Sequence, residues 1–220
     1  MKITSISVQA KNPNRVNLSI NGKYRLSLDI YQLTELGIKQ GQEISEEQLA
    51  EFEGESAFGK LYARALEYTM LRPHSTREIR DYLWRKTRVT KYKSRKTGEI
   101  KEREGVSQSI ADRVFERLQQ KGYINDESFA RYWVENRNQT KGASRRKLQS
   151  ELQAKGVERR IIDEALASTA RNDLEEITKI IAKKRSKYSD SQKFMAYLAR
   201  QGFSYDDIKS ALEDSTLAGN

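Results

Sequence analysis

The stretch SRRKLQSELQAKGVERRIIDEAL, residues 144–166, returns downstream as DSQKFMAYLARQGFSYDDIKSAL, residues 190–212. Leu148 matches Phe194, Leu152 matches Leu198, Gly156 matches Gly202 and Val157 matches Phe203. Ile162 matches Ile208, Ala165 matches Ala211 and Leu166 matches Leu212, every pair 46 residues apart (198 − 152). A fixed period of about 20–50 residues marks stacked helical units, none of which can bury its apolar face alone. Each unit reads as helix, glycine, helix. Leu148 and Leu152 stand one turn apart, Gly156 or Gly202 follows as a left-handed C-cap, and the Ile/Ala/Leu triplet recurs at helical spacing.

An interrupted third copy lies upstream. STREIRDYLWRK, residues 75–86, supplies its first helix, with Ile79 and Leu83 in the places of Leu148 and Leu152. Its second helix starts only at Ser107, where Val106, Ile110, Val114 and Leu118 form one stripe, so residues 87–105 (TRVTKYKSRKTGEIKEREG) are an insertion between the two helices. A further helix is expected in front of each unit. These are residues 57–71 (Leu61, Ala65, Leu66, Tyr68, Met70), 127–137 (Phe129, Ala130, Trp133, Val134) and 174–184 (Leu174, Ile177, Ile180, Ile181). The expectation is a mostly α-helical chain: three tandem three-helix units at residues 57–125, 126–170 and 171–220, forming an elongated, curved array.

Residues 1–56 differ in kind, because Val16, Leu18, Ile20 and then Tyr24, Leu26, Leu28, Ile30 alternate around Asn21-Gly22, a strong hairpin signal. A two-residue loop would pair Leu18 with Arg25 and set the two apolar series on opposite faces. A three-residue loop with Gly22 in a bulge pairs Leu18 with Tyr24 and Val16 with Leu26 instead, and is the form expected. With a first strand near residues 3–8 this makes a small antiparallel sheet. A short helix after Asp29 and another starting at the Ser45/Gln48 capping box follow. Ser75 with Glu78, and Ser204 with Asp207, are further cap signals.

The chain is only 36% hydrophobic and 33% charged, which suits stacked helices better than one deep core. It has no cysteine, hence no disulfide or cysteine-zinc framework. No apolar run of about 18 residues occurs and MKITSISVQ lacks a signal-peptide core, so a cytoplasmic protein is expected. The net charge of +10 is uneven. Residues 1–56 carry 6 basic and 8 acidic side chains, whereas the remainder carries 35 and 23.

Between Arg85 and Arg103 there are nine Lys or Arg against Glu99 and Glu102. Trp84 and Tyr92 are interleaved with them, and Lys96-Thr97-Gly98 can turn a hairpin between residues 89–92 and Ile100. Two readings stand side by side: a protruding arm that neutralises phosphates with Arg88, Lys91, Lys93, Arg95, Lys96, Lys101 and Arg103, or a solvated loop. Smaller groups recur at Lys141, Arg145, Arg146, Lys147 and at Lys179, Lys183, Lys184, Arg185, Lys187. Each alone reads as an ordinary solvated helix face, and together as a basic track. Nothing suggests catalysis. His74, beside Pro73 and ahead of a cap, reads as a surface turn residue, and carboxylate pairs such as Asp126/Glu127 sit at helix starts where the dipole accounts for them. No nucleotide-binding loop, metal-ligand pair or cofactor signature is present. Trp84 and Trp133 read as packing residues.

The residues RPHSTREIRDYL (72–83), LQQKGYINDESFARYWVENR (118–137) and KGASRRKLQSELQAKGV (141–157) resemble motifs of the RecX family of recombination regulators. The resemblance covers residues 57–212, and the N-terminal strands with the turn at Lys39–Gln42 are similar to the extended form of some members. The insertion at 87–105 departs from the pattern. The resemblance implies three tandem three-helix units, and the chain is expected to be a monomer without enzymatic activity, cofactor or metal. Its implied partner is the RecA filament on single-stranded DNA, whose ATPase and strand exchange it inhibits in DNA repair and the SOS response; double-stranded DNA is a secondary partner. A general DNA-binding helical-repeat protein without a recombinase partner is the alternative.

Overall fold

The computed structural model describes residues 1–217, and its chain divides into two compact units: Met1–Arg72 with Ile79–Tyr123, and Pro73–Glu78 with the residues from Ile124 on.

The first unit opens with an antiparallel sheet of β1 (Ile3–Gln9), β2 (Asn12–Ile20) and β3 (Lys23–Asp29), in that order. The three-residue bulged loop does not form. Asn21 and Gly22 both take positive φ, 49° and 79°, and a two-residue loop pairs Ile20 with Lys23. The parity conflict is relieved inside β3 instead: Ser19 pairs with Tyr24 and Leu18 with Leu26, leaving Arg25 as the extra residue. Val16 therefore faces Leu28, not Leu26. The Asn-Gly loop matches the twist of the strands. Placing the bulge at Arg25 leaves Tyr24 60% exposed while Val16, Leu18, Ile20, Leu26 and Leu28 share one buried cluster with Phe52.

Asp29 caps α1 (Ile30–Glu35), and Ser45 with Gln48 forms the reciprocal box that starts α2 (Glu46–Leu71). The short helix from Ser45 and the separate helix from Ala57 are one element of 26 residues, so no break falls at residue 56. No proline interrupts it. Phe52 and Ser56 join α2 to the sheet, the Ser56 hydroxyl donating to the Ser27 carbonyl at 2.7 Å. Leu61 and Ala65 are buried further along, and α2 packs on α4 (Gln108–Gln120). Met70, expected inside, is 68% exposed. Between them run α3 (Thr76–Thr87) and a hairpin of β4 (Thr90–Lys93) and β5 (Ile100–Arg103). Ile79 and Leu83 of α3 are buried as expected, with Tyr82 stacked on Tyr68 at 4.4 Å. The stripe of α4 is rotated from the expected one: Ala111, Val114, Phe115 and Leu118 are buried, whereas Val106 and Ile110 are only half-buried. Phe115 draws the helix round, with the Arg80 guanidinium over its ring at 4.0 Å.

The second unit holds two three-helix cores. The first, α5 (Asp126–Asn136), α6 (Arg145–Ala154) and α7 (Arg159–Ala167), closes on Phe129, Val134, Leu148, Leu152 and Ile162. The second, α8 (Asp173–Lys184), α9 (Ser191–Arg200) and α10 (Tyr205–Leu217), closes on Ile177, Ile181, Phe194, Leu198 and Ile208. Every residue of the seven matched pairs that carries a side chain is buried except Leu212, which is half-buried. Gly156 and Gly202 are left-handed at φ 78° and 94°, each followed by a residue whose N–H returns to the carbonyl of Leu152 or Leu198. His74 is not a surface residue. It is 4% exposed, beside the fully buried cap Ser75. Leu174, expected in the core, is 52% exposed. No described helix is long and apolar enough to cross a membrane.

Candidate nucleic-acid interface

The basic insertion folds as a two-stranded arm, pairing Thr90 with Arg103, Lys91 with Glu102, Tyr92 with Lys101 and Lys93 with Ile100. All eight strand residues are exposed. Alternation along a strand puts Tyr92, Lys101 and Arg103 on one face and Lys91, Lys93 and Glu102 on the other. The Arg103 guanidinium lies 5.2 Å above the Tyr92 ring, and Lys91 pairs with Glu102 at 3.3 Å, an exposed contact that leaves its charge largely available. Arg95 and Lys96 stand at the tip, where Gly98 takes φ 71° and returns its N–H to the Ser94 carbonyl at 2.8 Å. The arm is clamped at its root. Val106 N–H donates to the Lys86 carbonyl at 3.0 Å, and a side chain at Gly105 would stand 2.2 Å from the Thr87 backbone. Trp84, expected to pack, is 52% exposed with Arg88 4.8 Å over its ring.

A cleft of about 580 Å³ at the root is lined by Lys60 and Arg64 from α2, with Arg85, Lys86, Arg88 and Arg103, against Glu53 and Glu104. Arg25, also there, is paired with Glu53 at 2.6 Å. Burial, together with the charges of Arg15 and Arg64, lowers the Lys60 ammonium from the ordinary lysine range. Sequence reading missed Lys60 and Arg64 because each is one cation on a helix face; only the return of the chain after the arm brings them to it.

The second group has a different setting. Arg145, Arg146 and Lys147 form the first turn of α6, capped by Ser144, whose hydroxyl accepts from Lys147 N and donates to the Gln201 carbonyl at 2.6 Å. The start of α3 makes the same junction one repeat earlier: Ser75 donates to the Lys155 carbonyl at 2.9 Å. Thr76 N donates to Asp126 at 2.7 Å, as Arg145 N does to Asp173 at 2.8 Å. A side chain at Gly156 would lie 3.1 Å from Arg77 Cβ, and one at Gly202 would lie 3.3 Å from Arg146 Cβ. Arg145 and Arg146 are exposed, while Lys147 reaches inward to Gln201 Oε1 at 2.6 Å. Lys141 lies exposed in the loop before the cap. Asp126, read as a dipole partner, serves the junction as well.

Three family models match this sequence: the RecX regulatory protein N-terminal domain over residues 1–45, the second RecX three-helix domain over 125–166 and the third over 172–212. Regulatory protein RecX of Bacillus licheniformis is 30% identical, over 97% of this chain and 77% of its own length. That of Bacillus subtilis is also 30% identical, over 96% and 76%. A crystal structure of regulatory protein RecX superposes with a TM-score of 0.67 at 21% identity over 96% of this chain and 98% of its own. RecX from Lactobacillus salivarius gives 0.51 at 22% identity over 73% and 97%. With a sheet domain and tandem three-helix repeats at the matched positions, the chain belongs to the RecX family of regulatory proteins.

Proposed function

We propose that this protein regulates a RecA-type recombinase by binding its filament on single-stranded DNA and inhibiting ATP hydrolysis and strand exchange, with no chemistry of its own. The observation that carries the reading is similarity to regulatory protein RecX along 97% of the chain. The arm supports the nucleic-acid part of it. Its seven candidate cations, Arg88, Lys91, Lys93, Arg95, Lys96, Lys101 and Arg103, protrude on a short sheet tied at both ends, so docking costs less entropy than ordering a free tail. Phosphate neutralisation then releases counterions. The helical repeats supply the protein contacts.

The test is a titration of the cognate recombinase's ATPase on single-stranded DNA. Loss of hydrolysis and of strand exchange at near-stoichiometric amounts is the expected result. No effect at several-fold excess refutes the regulator reading, and DNA binding without the recombinase would then favour a general DNA-binding protein.

A further inference from the structure

The repeat lets one junction serve as a control for the other. At the first, between the start of α3 and the α6–α7 turn, Lys155 pairs with Glu78 at 2.5 Å and Arg137 with Glu151 at 2.9 Å. Trp133 fills the space between, its Nε1–H donating to Glu151 at 3.0 Å and its ring under Lys155 at 4.6 Å. The junction is self-neutralised and occupied.

At the second junction Lys147 stands for Glu78, and at the 46-residue period Tyr197 stands for Glu151 and Gln201 for Lys155; with α5 and α8 aligned on their N-caps Asn125 and Asn172, 47 residues apart, Lys184 stands for Arg137 and Ile180 for Trp133. Both carboxylates are gone, and a smaller side chain stands where the indole was. A pocket of about 390 Å³ opens there, lined by Lys141, Lys147, Lys183 and Lys184 and, among the described residues, by no carboxylate. Among the described residues Lys147 and Lys183 bond to neutral oxygens, Gln201 Oε1 and the Thr140 carbonyl, neither of which carries a counter-charge. Among the described residues neither Lys141 nor Lys184 has a carboxylate partner. The nearby acid Glu176 is already committed to Arg171, Lys179 and Ala143 N. Four lysines lining one concave space with no carboxylate among the lining residues repel one another, and an anion bound there relieves that repulsion.

We propose that this pocket holds a phosphate, supplied by the backbone of bound nucleic acid, as a second contact separate from the arm. It rests on the reading that this chain works on DNA and adds where a further phosphate is held.

Two variants test it. Lys147→Glu with Gln201→Lys installs the ion pair of the first junction, and Lys141→Gln with Lys184→Gln removes two cations whose side chains make no hydrogen bond or ion pair among the described residues. Each is measured by anisotropy on a labelled oligothymidylate across a sodium chloride series without recombinase. The plot of log affinity against log salt should flatten by roughly 0.7 for one phosphate lost from a single strand. Wild-type protein should also melt higher in sodium phosphate than in chloride of equal ionic strength, and the variants should lose that shift. An unchanged slope in both folded variants overturns the proposal. A phosphate-dependent melt with an unchanged DNA slope overturns it too, assigning the pocket to free phosphate. If one variant fails to fold, the other decides. Because recombinase is absent, a flattened slope stands even if the ATPase titration fails, and an unchanged slope leaves that titration untouched.

Discussion

Replacing Glu176 by alanine should destabilise the second unit by about 3 kcal/mol. Glu176 is 1% exposed and Arg171 is 11% exposed at the side chain; their atoms meet at 2.5 Å, while Lys179 and the Ala143 N–H approach the same carboxylate at 2.7 and 2.9 Å. Removing one partner of a buried ion pair costs about 3–5 kcal/mol, because the other charge stays buried and uncompensated. Arg171 keeps the carbonyls of Val134 and Arg137, both at 2.7 Å, which places the loss near the lower end, about 3 kcal/mol. In a cooperative unit of 60–100 residues each kcal/mol shifts the melt by about 4–8 °C, so a fall of more than about 10 °C is expected by calorimetry. The pH dependence has a definite sign. Burial pushes the Glu176 carboxyl up, but the hydrogen bonds from Arg171, Lys179 and Ala143 N–H outweigh it and hold the group below the ordinary carboxylate range. Its contribution is therefore present above the unfolded-state value and lost as pH falls through the lower folded one, so the gap between wild type and variant should close in acid. A loss under about 1 kcal/mol, the level of a solvated pair, would refute the reasoning.

Gly156→Val should cost on the order of 1 kcal/mol or more, since φ is 78° and a Cβ would stand 3.1 Å from Arg77 Cβ; an unchanged thermal melt would contradict this. Ser56→Ala should cost about 1 kcal/mol by removing the buried bond to the Ser27 carbonyl, read from urea unfolding. Replacing Lys91, Lys93, Arg95 and Lys96 by alanine should flatten the salt dependence of single-stranded DNA binding by roughly two to three log units per log unit of salt if all four touch phosphates. Circular dichroism should be unchanged, because these side chains lie outside the packed helices. An unaltered slope would make the arm a solvated loop.

Much of the fold is written in local spacing. The repeated Leu148/Leu152 and Phe194/Leu198 turns, the glycines after them and the serine caps depend on interactions within a few residues, so they survive any arrangement of the rest. The hairpin arm was equally legible, because its turn and its alternation are local. What the sequence left open is what distant segments decide. The bulge moved from the Asn-Gly turn to Arg25 because the sheet must present Leu26 and Leu28 to Phe52, a residue in another element. The helices expected from Ser45 and Ala57 merged because one continuous α2 serves both the sheet and α4. His74 went inside and Trp84 outside, since burial of either depends on which surface arrives opposite. The same holds for charge: a run such as that in the arm can be counted along the chain, whereas Lys60 with Arg88, or Lys141 with Lys184, become neighbours only when separate elements meet. Periodicity determined the units of this protein; tertiary packing decided which of their charges are neutralised and which face open space.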